Sequence, residues 1–142
     1  MTIDKRDSDA AIAYRLDPTS GVPTYLQIVR QVEDAVRLGY LVAGDQLPKV
    51  KDVVASLAIN PNTVLKAYRE LEHKGLAIGR PGQGTFVQGS VTAAPLRDLQ
   101  ALRRKLQRWL ADAADAGLDE DSIQALFSTA LRDAQTTGAV AS

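Results

Sequence analysis

Asn60, Asn62, Thr63, Lys66, Arg69 and His73 crowd into one short stretch, "NPNTVLKAYRELEHKGL" (60–76). At 100° per residue, Asn62, Lys66, Arg69 and His73 fall on one side of a helix, and Val64, Ala67, Tyr68 and Leu71 fall on the other. An asparagine amide donates and accepts at once, which matches N6 and N7 of adenine in a DNA major groove. Thr63 offers a hydroxyl, and Lys66 and Arg69 offer charge suited to phosphates or guanine. Two further groups fit the same chemistry. Arg80 and Gln83 stand in "RPGQG" (80–84), where Gly82 and Gly84 let a backbone come close to a ligand. Lys49 and Lys51 open an upstream helix, where cations oppose the helix dipole and a phosphate would relieve the misfit. Each group also has a plainer reading: a helix cap, a tight turn, a solvated face.

The elements that must position these residues can be read from apolar spacing. Tyr25, Ile28, Val29, Val32 and Val36 predict a first helix over about 23–38, ended by Gly39. "VAGDQLP" (42–48) reads as a turn and a short extended piece. Val50, Val53, Val54 and Leu57 predict a second helix over about 49–57, and "AIN" (58–60) is a tight connection. Asn60 is a good N-cap, Pro61 suits the first helical position, and Lys74 with Gly75 closes the third helix. Two helices joined by three residues, the second with a polar outer face, make a helix-turn-helix. "LAIG" (76–79) and "TFVQ" (85–88) predict a hairpin around the glycine-rich tip, the winged variant of that motif.

The flanks divide the chain further. Residues 1–20 read as an extended or disordered N-terminal extension, 21–89 as the winged domain and 90–95 as a linker. Residues 96–142 read as two helices, about 96–116 and 120–135, broken at Gly117 and capped by Asp119, with a frayed tail. Leu96, Leu99, Leu102, Leu106 and Leu110 line one side of the first, and Trp109 borders them. Two short helices cannot enclose that stripe, so Leu99, Leu102, Leu106, Trp109 and Leu110 are the expected seam of a homodimer. They also leave little room for an effector pocket, and no small-molecule effector can be named from the sequence. The expected fold is mainly α with one small β-hairpin: a winged helix-turn-helix followed by a two-helix dimerisation region.

Composition narrows the function classes. The chain has 142 residues, 45% of them hydrophobic and 24% charged, as in an ordinary folded protein. No cysteine and a single histidine argue against a disulfide framework, a thiol nucleophile or a common zinc site. The start lacks the apolar core of a signal peptide, and no segment reads as a membrane span, so a cytoplasmic location without membrane contact is expected. Net charge is zero, but residues 48–84 hold six cations against three anions. No paired carboxylates or serine–histidine–acid set suggests catalysis, and neither cofactor nor metal is expected.

Residues 23–87, from "PTYLQIVRQVEDAVRLGYLVAGDQLPKVKDVVASLAINPNTVLKAYRELEHKGL" through "AIGRPGQGTFV", resemble the winged-helix domain of GntR-family transcription regulators. The recognition-helix stretch and the short C-terminal region resemble the YtrA subfamily. The resemblance implies a homodimeric regulator of double-stranded DNA, usually a repressor, often of a transporter operon and of its own gene. It implies DNA contacts at Lys49, Lys51, Asn60, Asn62, Thr63, Lys66, Arg69, Arg80, Gly82, Gln83 and Gly84. The chain departs from the family where Lys51 stands for a usual arginine, Lys49 for a common serine and Ala58 for a frequent glycine. Pro61 and Leu65 also occupy positions where other branches carry arginines. A different reading stays open on the residues alone: a winged-helix module that binds protein, or bends DNA with little sequence preference.

Overall fold

Pro23 cannot donate a backbone hydrogen bond, and the first helix starts directly after it. The computed structural model describes residues 12–89, 96–138 and 140. Its helix α1 spans Thr24–Arg37 and buries Ile28, Val29, Val32, Ala35 and Val36 on one face. Gly39 follows at φ +77°, a left-handed conformation that glycine adopts without penalty. Helix α2 (Val50–Leu57) and helix α3 (Pro61–His73) begin and end within a residue of the sequence expectation. Strands β1 (Ala77–Arg80) and β2 (Gly84–Val87) pair antiparallel, with Ala77 opposite Val87 and Arg80 opposite Gly84. Both reach one residue nearer the tip than expected, because the Arg80–Gly84 pair leaves only three residues in the loop.

The core lies between these elements. α3 packs across α1 and α2 and against β1. Ile28, Val29, Val32, Val64, Leu41, Leu47 and Leu71 are fully buried, each removing about 1.5–3 kcal/mol worth of apolar surface from water. Leu41 and Leu47 come from the loop between α1 and α2, and that loop also adds a third edge to the wing. Leu47 N–H donates to Thr85 O at 2.8 Å, Val87 N–H donates to Asp45 O at 2.8 Å, and Gln46 bridges Phe86.

The tight α2–α3 connection has a visible cost. Ala58 caps α2 with φ 54° and ψ 45°, and it is the sole non-glycine at positive φ among the described residues. An alanine there carries roughly 1–2 kcal/mol of strain that glycine would not.

Of the two expectations for the N-terminal extension, extended or disordered, the described part follows the first. Tyr14 is buried, and Ile12 and Leu16 pack partly against the core, so alternate residues of an extended segment face inward. Two glutamines one turn apart on α1 hold its backbone. Gln31 accepts from Arg15 N–H at 2.9 Å and donates to Arg15 O at 2.7 Å. Gln27 treats Asp17 the same way, at 2.8 and 2.9 Å. Each amide stands in for a neighbouring strand. Residues 1–11, and the linker expected at 90–95, lie outside the described residues.

Residues from Arg97 onward form a separate compact unit. Helix α4 spans Leu96–Asp115 and helix α5 spans Glu120–Thr136. Leu118 N–H donates to Ala113 O at 3.0 Å to close the turn after α4. Asp119 then caps α5 by accepting from Ser122 N–H at 2.8 Å, and hydrogen bonding from the Ser122 side chain and then its backbone holds the carboxyl below the usual carboxylate range. Ala113 is the one buried apolar residue described in this unit. No helix among the described residues is long and apolar enough to cross a membrane.

Candidate nucleic-acid interface

The outward face of α3 follows from what its inward face buries. Val64, Ala67, Tyr68 and Leu71 are inside, so Asn62, Lys66, Arg69 and His73, half a helical turn away, are exposed. The helix opens as its sequence dictates: Asn60 Oδ1 accepts from Asn62 N–H at 2.8 Å, and Pro61 takes the first position. Asn60 is therefore engaged as a cap while remaining exposed, and Thr63 is half-buried one residue beyond Asn62. Lys66 does not simply extend into solvent. Its ammonium lies over the Tyr25 ring of α1, 4.1 Å from the centroid, a contact of about 0.5–1 kcal/mol at such a site. The sequence contains no local signal for that pairing, since the two residues lie on different helices.

The wing tip is a three-residue loop with its own turn chemistry. Gln83 N–H donates to Arg80 O at 3.0 Å across Pro81 and Gly82, and Gly82 has φ +72°. Proline followed by a glycine at positive φ is the residue order of a type II turn. Arg80 is exposed, with its guanidinium 4.8 Å from the centroid of the Phe86 ring.

α2 and the wing share an open groove. Lys49, Lys51, Arg80, Gly82, Gln83 and Gly84 all line it, in a volume of about 590 Å³. Three cations on one concave surface with glycine backbone between them suit a phosphodiester chain. The structure thus collects the expected residues into two surfaces: the polar face of α3, with Asn60, Asn62, Thr63, Lys66 and Arg69, and the α2–wing groove. Sequence reasoning missed Gln46, whose side-chain amide donates to Gln83 O at 2.9 Å.

The expected dimer residues are described within their own unit. Leu102, Leu106, Trp109 and Leu110 are 59%, 44%, 36% and 38% exposed, and Leu99 is half-buried. On α5, Leu126, Phe127 and Leu131 are exposed as well. A concavity of about 310 Å³ opens between Leu106, Trp109 and Leu110 on one side and Ile123 and Phe127 on the other. Little room was expected there, and this volume sits at the lower end of small-molecule sites.

Comparison with known proteins gives a consistent result. The family model for bacterial regulatory proteins of the gntR family matches residues 24–87. The HTH-type transcriptional repressor YtrA of Bacillus subtilis (strain 168) is 32% identical over 110 residues, covering 77% of this chain and 85% of the repressor. The HTH-type transcriptional regulator Rv1152 of Mycobacterium tuberculosis is 42% identical over 73 residues, covering 51% of this chain and 60% of that one. Among solved structures, a transcriptional antiterminator from Listeria monocytogenes EGD-e matches with a TM-score of 0.55 at 28% identity, over 87% of this chain and 93% of its own.

Proposed function

This chain belongs to the GntR family of bacterial regulatory proteins, and from that premise we propose that it is a sequence-specific transcription regulator acting on double-stranded DNA. The observation that carries the reading is the division of α3. Four residues anchor it in the core, while the opposite side presents an amide and two cations, and α2 and the wing add a cationic groove in the same unit. In this reading α3 lies in the major groove, Asn62 reads a base edge, and Lys66 and Arg69 meet phosphate or guanine. Lys49, Lys51 and Arg80 then hold the flanking backbone.

The YtrA repressor, which is similar over 77% of this chain, supports repression as the mode of action. The exposed leucine stripe of α4 supports a homodimer, and two winged units related by a two-fold axis would read a palindromic operator. A transporter-type operon and the regulator's own gene are the proposed targets, and the cytoplasm the proposed location. The role is regulatory and not enzymatic.

The test is selection of bound sites from random duplex DNA, followed by affinity measurement on the selected site and on a scrambled one. A tight site with Asn62→Ala losing preference at one base pair, at about 1–3 kcal/mol, supports the reading. Equal affinity for both duplexes would make the chain an architectural module instead.

A further inference from the structure

We propose that Gln46 is a positioning residue for DNA binding: its amide pins the wing tip so that Arg80 and Gln83 face the same groove as Lys49 and Lys51. This rests on the proposed function of that groove and adds to it a residue that no base or phosphate need touch.

Gln46 lies three residues before Lys49, in the loop that leads into α2. Its backbone bridges Phe86 of β2, and the adjacent Leu47 N–H donates to Thr85 O at 2.8 Å. The start of α2 and the wing are thus joined edge to edge at this point. The side chain then reaches past β2 to the tip, where Nε2 donates to Gln83 O at 2.9 Å. Its partner is a carbonyl oxygen, so the amide must present its nitrogen.

Without that bond the tip would be held by little. Beyond the Arg80–Gly84 pair, the loop has one described backbone bond, from Gln83 N–H to Arg80 O. The fit is close. A Cβ on Gly84 would stand 2.7 Å from Gln46 Nε2, so a side chain there would displace the amide, and Gly84 has φ +124°, a conformation that favours glycine. Phe86, the residue that Gln46 bridges, also carries Arg80 over its ring. Gln46 therefore fixes the distance between the two walls of the groove. Fixing the wall before binding lowers the ordering cost that DNA would otherwise have to offset.

The test uses the full chain and the duplex that the wild type selects from random sequence. Gln46→Met keeps the length of the side chain and removes the donor without adding charge. It is expected to weaken binding about three- to tenfold, the cost of re-ordering a tip that one lost hydrogen bond has released, with at most a small fall in thermal midpoint. A purely structural role would not predict the second result: in an Arg80→Ala background, Gln46→Met should have almost no additional effect, because both act through the tip. If Gln46→Met lowers the thermal midpoint, amide exchange decides. Faster exchange confined to residues 80–84 supports the pin, and faster exchange throughout the winged unit overturns it. Wild-type affinity in Gln46→Met, or losses that multiply with those of Arg80→Ala, overturns it too. A wild type that binds no duplex defeats the functional reading itself. A wild type that binds, weakened by Arg80→Ala but not by Gln46→Met, defeats this inference alone.

Discussion

The winged unit and the C-terminal helices carry apolar residues at the same helical spacings, yet one unit covers them and the other does not. On α3, Val64, Ala67, Tyr68 and Leu71 are at most 4% exposed. On α4, Leu102, Leu106, Trp109 and Leu110 are 36–59% exposed. The physical difference is in the partners each helix has within its own unit. α3 meets α1, α2 and β1. α4 has only α5, which buries none of its own residues. Periodicity shows that a helix has an apolar face, and the number of elements within reach decides whether that face is closed. In the proposed homodimer, the exposed stripe is the face that a second copy would cover.

The largest expected effect breaks the comparison at α4. Leu106→Asp should turn the protein monomeric in sedimentation and lower operator affinity by orders of magnitude, since one winged unit loses the avidity of two. The winged unit should stay folded. A mutant that remains dimeric, or a wild type that is monomeric at micromolar concentration, ends the dimer reading.

Stability should separate the units next. Leu71→Ala removes a fully buried side chain of α3 and should cost about 2–5 kcal/mol in denaturant titration, independent of protein concentration. Leu102→Ala, at 59% exposure, should cost no more than about 0.5 kcal/mol in the monomer. Its loss should appear only as weaker association. Equal costs for the two variants in a monomeric background would mean that α4 is covered within its own chain.

Local signals were legible and distant ones were not. Asn60, Pro61 and Gly39 fix helix ends by their own backbone chemistry, so α1 to α3 could be bounded from the sequence within a residue. The polar face of α3 was equally readable, because it needs only the helical period. The alternation of Ile12, Tyr14 and Leu16 was available too, but the segment is held by Gln27, Gln31 and Tyr68, which bond Asp17, Arg15 and Tyr14 across 10, 16 and 54 residues. Gln46 carries no periodic signal, and the place of Tyr25 in the apolar stripe of α1 does not foretell a cation above its ring. Their contacts, with Gln83 and Lys66, exist only once the fold is closed.

A smaller effect sharpens the site within the winged unit. Lys66→Ala and Arg69→Ala should each flatten the dependence of log affinity on log salt by about one unit while leaving sequence preference largely intact. Lys66 rests on Tyr25 before binding, so its variant should show the weaker change if that stacking persists on DNA. Salt slopes identical to wild type in both variants would remove this face of α3 from the phosphate contacts.

The smallest effect belongs to the segment that joins the winged core from outside the expected boundary. Tyr14 and Tyr68 hydroxyls lie 3.0 Å apart, and Tyr68 donates onward to Pro48 O, just ahead of α2. Burial pushes both phenols well above their ordinary value of 10.0, and for Tyr14 the neighbouring Tyr68 adds to the shift. The folded state therefore keeps both protons at a pH where the unfolded chain releases them. Their contribution is complete below pH 10 and declines as the pH rises beyond it, by about 1.4 kcal/mol per pH unit for each group. Tyr14→Phe should cost about 0.5–1.5 kcal/mol at neutral pH, because one hydrogen bond is lost while Tyr68 keeps its bond to Pro48. Above pH 10 the variant should lose stability with a slope shallower by one group's share, so its curve and the wild type's converge. Denaturant midpoints measured on both proteins across that range decide the matter, since other titrating groups are common to both. Parallel curves would mean that Tyr14 ionises as readily in the folded chain as in the unfolded one, and that the segment is not held in the core as described.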